Sequence, residues 1–300
     1  MKITRELLLI ILAFFAIYVI WGSTYLLNKI AVQEIPPLFL SSSRFTFAGI
    51  IIFIIAKFLK LPIKITRKQF LNNLLAGFLF LTYGNGVFVW ALKYVDSGFA
   101  ALEASSLPLV VLILMRILYK QKIHKLALLG VFLGILGIYL LVSQQEITTG
   151  ENTLLGIMMI STCIISWAFA SIFVSRADLS KSYFVNSGYQ MFTAGISLSF
   201  FSLLVDETWK SPMDWSSTTM SAMLLLIVFG SIVAFTAFNF LLKKVSPEKV
   251  STSAYVNPII ALLLGWYILD EKISQQSIIA AVILLIGVYF INSSKNKKVS

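Results

Sequence analysis

Residues 38–56 read LFLSSSRFTFAGIIIFIIA, a stretch of span length that carries a single charge, Arg44. About 20 apolar residues cross the hydrocarbon core of a bilayer as a helix. A charge near the centre of such a span costs roughly 2.5 to 3.5 kcal/mol. Arg44 is therefore either used or neutralised, provided that the stretch lies in a membrane. Composition makes that case: 58% of the 300 residues are hydrophobic and 12% are charged, with a mean hydropathy of +0.90. Soluble domains hold about 25% charged residues. The chain reads as an all-α integral membrane protein.

Charges punctuate the rest of the sequence at similar intervals. The apolar windows between them run over 7–27, 38–56, 69–92, 98–115, 126–143, 153–174, 183–205, 217–242, 250–269 and 275–292. Barrel strands would alternate apolar and polar residues over segments of about 10, whereas these windows are apolar on all faces. Ten transmembrane helices are expected. The first window follows Lys2 and Arg5 and continues through WGSTY without a small-residue cleavage site, so it reads as a retained helix rather than a removed signal.

Short loops rich in Lys and Arg stay in the cytoplasm. With the N-terminus inside, the inner loops and tails hold 19 of the 24 basic residues. The outer loops hold Lys29, Lys93, Lys210 and Lys272, with Asp96, Glu146, Glu151, Asp206, Glu207, Asp214, Asp270 and Glu271 among the acids. Only Arg44 belongs to no loop. Both termini are expected in the cytoplasm and the protein in the cell membrane. The net charge of +11 then marks topology, with attraction to anionic lipid as a side effect, and implies no nucleic-acid partner.

The two halves are related. A shift of 146 places Trp21 on Trp167, Arg44 on Gln190, and Ala48–Gly49 on Ala194–Gly195; a shift of 150 places LKYV (92–95) on LKKV (242–245), Ala104 on Ala254, Pro108 on Pro258, and Gly137 and Tyr139 on Gly287 and Tyr289. Two units, 1–145 and 146–300, of five helices each are expected. An odd number of spans per unit inserts the second unit upside down, which makes an inverted repeat of the kind that secondary transporters use for alternating access.

The stretch WGSTYLLNKIAVQEIPPLFLSSSRFTFAG (21–49) resembles the opening of EamA-type members of the drug/metabolite transporter superfamily. Trp21, Gly22, Lys29, Pro36, Pro37, Arg44 and Phe45 match the family pattern in type and spacing. Pro108, Pro258 and the Gly-Tyr pairs near 137 and 287 extend the resemblance over nearly the whole chain. Where the family often carries Gly-Glu after the fourth and ninth spans, this chain reads YKQKI (119–123) and LDEKI (269–273), so the acid is missing from the first copy. The resemblance implies a ten-helix carrier with a central cavity that moves small metabolites, often outward.

Arg44 and Glu103 are the charges inside the windows. Counted from the outer ends, both lie roughly 8 to 9 Å deep at 1.5 Å per residue, so the two are expected to be able to meet. They form either a structural ion pair or part of the outer cavity wall, with Arg44 engaging a substrate carboxylate or phosphate and Glu103 an ammonium or a coupled proton. Their repeat counterparts, Gln190 and Ser253, are uncharged and are expected toward the inner end. Trp21, Thr24 and Asn28 share a helical face; Tyr83, Asn85 and Trp90 occupy the outer half of the third window; Tyr255 and Asn257 flank Pro258. Aromatic rings beside amides suit a pocket for amphipathic solutes, and they equally suit core packing. Pro108 and Pro258 are expected inside helices, as kinks and hinge points. Gly130, Gly134 and Gly137 form a small-residue face, either scaffold or the seam of a homodimer.

One His and one Cys leave no basis for a metal cluster or a disulfide. YGNG (83–86) lacks the strand-turn-helix setting of a nucleotide fingerprint, and no cofactor is expected. Transport would run on a proton gradient or by exchange. The alternative is an intramembrane enzyme acting on a lipid or lipid-linked substrate, for which Arg44 and Glu103 alone make a thin site. A non-enzymatic secondary carrier of amino acids, related metabolites or drugs is the expected function.

Overall fold

A computed structural model describes residues 4–91, 94, 95, 100, 103–143, 153–269 and 273–293. Lys2, Lys93, Asp96, Glu146, Glu151, Asp270, Glu271, Lys272, Lys295, Lys297 and Lys298 of the charge pattern lie outside this set. The described residues are helical, without strands. Helix α1 runs as Arg5–Phe15, a π-helical turn Ala16–Ile20, and Trp21–Ala31; α2 is Pro37–Phe58; α3 runs as Arg67–Gly77, a π-helical stretch Phe78–Asn85, and Gly86–Ala91. Then follow α4 (Leu107–Tyr119), α5 (Lys125–Val142), α6 (Thr153–Arg176) and α7 (Tyr183–Leu204). Helix α8 is Ser217–Lys244, with a π-helical stretch Leu226–Val233, and α9 (Ser253–Leu269) and α10 (Gln275–Ser293) complete the chain.

Seven of these helices are long and apolar enough to cross a membrane: α1, α2, α3, α5, α6, α8 and α10. This is fewer than the ten spans expected. Helix α4 has 13 residues and α9 has 17, while α7 carries Asn186, Ser187 and Gln190 on a buried face. The fourth window also differs from expectation. It does not form one helix: a turn at Ser105–Ser106 precedes α4, and Pro108 is the second residue of that helix. In the first turn its missing N–H costs nothing, so Pro108 starts a helix and does not kink one. Pro258 does lie inside α9.

Side-chain caps begin the helices. Thr66 and Gln69 form a reciprocal capping box on α3, and Ser182 and Ser216 cap α7 and α8. Helix α2 starts differently, because Glu207 from the α7–α8 loop accepts the backbone N–H groups of Leu38 (3.1 Å) and Phe39 (2.8 Å). A carboxylate there satisfies two unpaired donors and meets the positive end of the helix dipole. The ends of α2 and α7 match. Lys60 and Asp206, 146 residues apart, take left-handed φ values of 52° and 54°. In each case the next N–H reaches back five residues, Leu61 to the Ala56 carbonyl and Glu207 to the Ser202 carbonyl, which closes the last turn.

Packing pairs equivalent elements of the two halves, α2 with α7 and α5 with α10. At the first crossing, a Cβ on Gly49 would sit 2.8 Å from Phe192, and one on Gly195 would sit 2.3 Å from Thr46. At the second, a Cβ on Gly130 would meet the Gly287 carbonyl at 2.6 Å, and one on Gly287 the Gly130 carbonyl at 2.7 Å. Such close backbones provide the van der Waals contact that holds helices together in lipid. The glycine face of α5 is thus filled by α10 and, at Gly134, by Tyr255 of α9. It is scaffold within one chain and not a free seam for a second copy. At the centre, Trp21 and Trp167 meet edge to face at 6.1 Å, flanked by Phe80 and Phe238.

Candidate functional site

Arg44 is 8% exposed on α2, and its Nε donates to Ser231 Oγ of α8 at 2.7 Å. Ser231 lies in the π-helical stretch of α8 beside Gly230, where an added Cβ would fall 3.5 Å from Arg44 Nη2 and 2.9 Å from Thr24 Cγ2. Trp21 Nε1 donates to the Gly230 carbonyl at 3.1 Å. A π-helix breaks the regular i to i−4 ladder, and this tryptophan meets one of the carbonyls so exposed. Arg44, Ser231, Gly230, Thr24 and Trp21 form one cluster between α1, α2 and α8. One turn above Arg44, Ser41 donates to Asn85 Oδ1 at 3.4 Å. Asn28 turns back onto the Thr24 carbonyl of its own helix at 2.8 Å.

Glu103 is elsewhere. Ser161 of α6 donates to its Oε1, and its Oε2 is buried without a hydrogen-bond partner among the described residues. Tyr83 donates to Thr162, the next residue of α6, at 3.0 Å. No ion pair joins Arg44 to Glu103 among the described residues, contrary to the expectation that they meet. Equal depth along two helices does not put their side chains on facing sides: Arg44 points toward α8 and Glu103 toward α6.

Gln190, the counterpart of Arg44, is fully buried in an amide network. Its Nε2 donates to Asn73 Oδ1 at 2.9 Å, its Oε1 accepts Asn239 Nδ2 at 3.0 Å, and Asn73 in turn donates to Asn186 at 3.3 Å. The network ties α3, α7 and α8 together. Ser253 is buried at the start of α9. Tyr255 and Asn257 are both buried, in contact with α5 and α1. The Tyr255 ring is wholly buried, with atoms 2.2 to 2.6 Å from where a Gly134 Cβ would be. Asn257, with its amide nitrogen toward the backbone, donates to the Ile17, Tyr18 and Ser253 carbonyls at 3.1 Å each. It thereby satisfies carbonyls of the π-helical turn of α1 and the Ser253 carbonyl at the start of α9. Trp90 is half-buried against the central core.

Ser231, Ser161, Asn73 and Asn239 escaped the sequence analysis. For Ser231 a signal was present, since the 146-residue shift that relates Arg44 to Gln190 also relates Asn85 to Ser231. The serine and asparagine types of the others carry no such mark. Among the described residues no group of three or more His, Cys, Asp or Glu could hold a metal.

With this geometry in place, comparisons with known proteins bear on the whole chain. The EamA-like transporter family matches it twice, over residues 8–143 and 154–293. The chain is 35% identical to the uncharacterized inner membrane transporter YedA of Escherichia coli K12 over 294 residues, 97% of this chain and 93% of the relative. It is 24% identical to protein PagO of Salmonella typhimurium over 287 residues, covering 96% and 94%. A crystal structure of another protein superposes with a TM-score of 0.78 at 18% identity, covering 93% of this chain and 94% of that one. At that identity the likeness concerns the fold.

Proposed function

The chain belongs to the EamA-like transporter family, and from that premise we propose that it is a secondary carrier that exports small organic metabolites by alternating access. Amino acids, related metabolites and drugs are the substrate class. The observation that supports this most is the state of Arg44: a guanidinium 8% exposed inside a span, with a serine as its hydrogen-bond partner and no carboxylate paired to it among the described residues. A guanidinium has five N–H donors, and Ser231 takes one. The guanidinium lies over the Phe45 ring at 5.0 Å, but a buried charge without a counter-charge is costly, so an anionic substrate group entering here recovers energy that no carboxylate among the described residues supplies. Two parallel N–H···O bonds to a carboxylate are the strong form of that contact.

In this reading all ten helices cross the bilayer and the halves 1–145 and 146–300 insert in opposite senses. The double family match, the Trp21–Trp167 contact and the paired crossings support two related units. The termini lie in the cytoplasm by the charge pattern, and the site is the plasma membrane, as the name of the Escherichia coli relative suggests. Glu103, with one carboxylate oxygen unpartnered among the described residues, carries a coupled proton; exchange is the other route. An intramembrane enzyme is disfavoured, since the family and the Escherichia coli relative carry transporter names and the described groups around Arg44 are Ser231, Thr24 and Trp21, without a titratable base. The test is counterflow in liposomes reconstituted with the purified chain, over amino acids, nucleosides, sugars and cationic drugs. The carrier reading requires trans-stimulated uptake of at least one solute, and failure of every solute with folded protein would overturn it.

A further inference from the structure

A groove of about 380 Å³ opens on the outer surface of the bundle between α2, α3 and α7, walled by Phe53, Phe70, Tyr189, Phe192 and Thr193. A second hollow of about 340 Å³ continues from Thr193 to Ser197 along α7. From Tyr189 to Ser197 the two extend about 12 Å at 1.5 Å per residue, much of the length of a lipid acyl chain. The walls are firm. Phe53 meets Tyr189 at 4.9 Å and Phe70 meets it at 5.9 Å, and the Tyr189 hydroxyl donates to the Ile63 carbonyl at 3.2 Å.

Charge surrounds one end. Lys57 lies one turn beyond Phe53 on α2, Lys64 adjoins the lining residue Ile63, and Arg67 lies one turn before Phe70 on α3. All three are exposed, and none forms an ion pair among the described residues. Asp178, the acid between α6 and α7, is engaged by Lys68 at 4.0 Å and Gln69 at 3.2 Å. We propose that this groove holds one anionic phospholipid, with an acyl chain on the aromatic wall and its phosphate among Lys57, Lys64 and Arg67. The trough is apolar, and with α2, α3 and α7 crossing the bilayer as in the proposed function it faces lipid, which selects a chain as occupant; three cations at one end select a negative headgroup. A zwitterionic headgroup would bring a cation of its own to the same place. The assignment is independent of the Arg44 site.

Native mass spectrometry of the full chain in detergent, titrated with phosphatidylglycerol and with phosphatidylcholine of the same chains, tests it. Each Lys or Arg near the surface is worth about fivefold for an anionic lipid. The wild-type chain should therefore retain one phosphatidylglycerol, and K57Q/K64Q/R67Q should bind it on the order of 100-fold more weakly with phosphatidylcholine binding unchanged. Thr193→Phe, which fills the trough, should weaken both lipids. Equal retention of the two lipids by the wild type, an unchanged preference in the triple variant, or displacement by glycerophosphoglycerol without chains would overturn the proposal.

Discussion

Arg44 of α2 donates its Nε to Ser231 of α8 at 2.7 Å, and the acid nearest in type and depth, Glu103, is bonded to Ser161 of α6 instead. The basic and acidic groups inside the bundle are thereby kept apart, each on a neutral hydroxyl. Ser231 is then a positioning residue. Ser231→Ala should lower substrate affinity about 2- to 10-fold, the worth of a hydrogen bond of 0.5 to 1.5 kcal/mol, with the maximal rate nearly kept. Concentration-dependent uptake in proteoliposomes separates the two parameters.

Glu103→Gln should abolish stimulation of transport by a proton gradient while solute exchange continues. Uptake with and without an imposed gradient, at equal protein in the membrane, measures the coupling. Gradient-stimulated uptake equal to wild type would remove the proton from Glu103.

At Gly134 the Tyr255 ring occupies the place a Cβ would take, with atoms 2.2 to 2.6 Å from it. Overpacking of this kind costs about 1 to 3 kcal/mol. Gly134→Ala should lower the thermal midpoint in detergent, and Tyr255→Leu in the same chain should recover part of the loss. Independent, additive losses would contradict the contact.

The Glu207 carboxylate closes the start of α2 across the molecule. Glu207→Ala should destabilise by about 0.5 to 2 kcal/mol, the range for a lost N-cap, measured as a shift in thermal unfolding. Glu34, in the neighbouring loop, accepts the Ser216 N–H at 3.0 Å, and hydrogen bonds from the Ser216 side chain and backbone hold its carboxyl below the usual range. Its folded value is depressed, so its contribution is present above the unfolded carboxylate value and is lost as pH falls through the folded one. Glu34→Gln should reduce the acid sensitivity of unfolding in that window.

What could be read from the sequence was whatever depends on sequence position alone. Arg44 stands out because every other basic residue can be given to a loop or tail, and Gly49 and Gly195 of the first crossing are related by the 146-residue shift. Partners depend on helix rotation, and depth counting carries no such information. That is why depth alone pairs Glu103 with Arg44, whereas its side chain is bonded to Ser161 of α6. The π-helical stretches around Gly84 and Gly230 follow from packing in three dimensions, and with them came Ser231 and the Trp21 contact. Tyr255 and Asn257 had the residue types of a pocket, yet the fold uses them to fill Gly134 and to satisfy carbonyls of α1. Pro108 misled because proline inside an apolar window resembles a kink until the turn before it is seen.

The central claim is that Arg44 holds the anionic group of the substrate. Counterflow of paired solutes, one with a carboxylate and one with that group amidated, in liposomes bearing the wild-type chain or Arg44→Gln, tests it most directly. A charged hydrogen-bonded contact is worth about 1.5 to 3 kcal/mol, so the variant should lose affinity for the carboxylate solute roughly 10- to 150-fold while remaining folded in the membrane, and its preference over the amide should vanish. Undiminished transport of the carboxylate solute by folded Arg44→Gln would contradict the account.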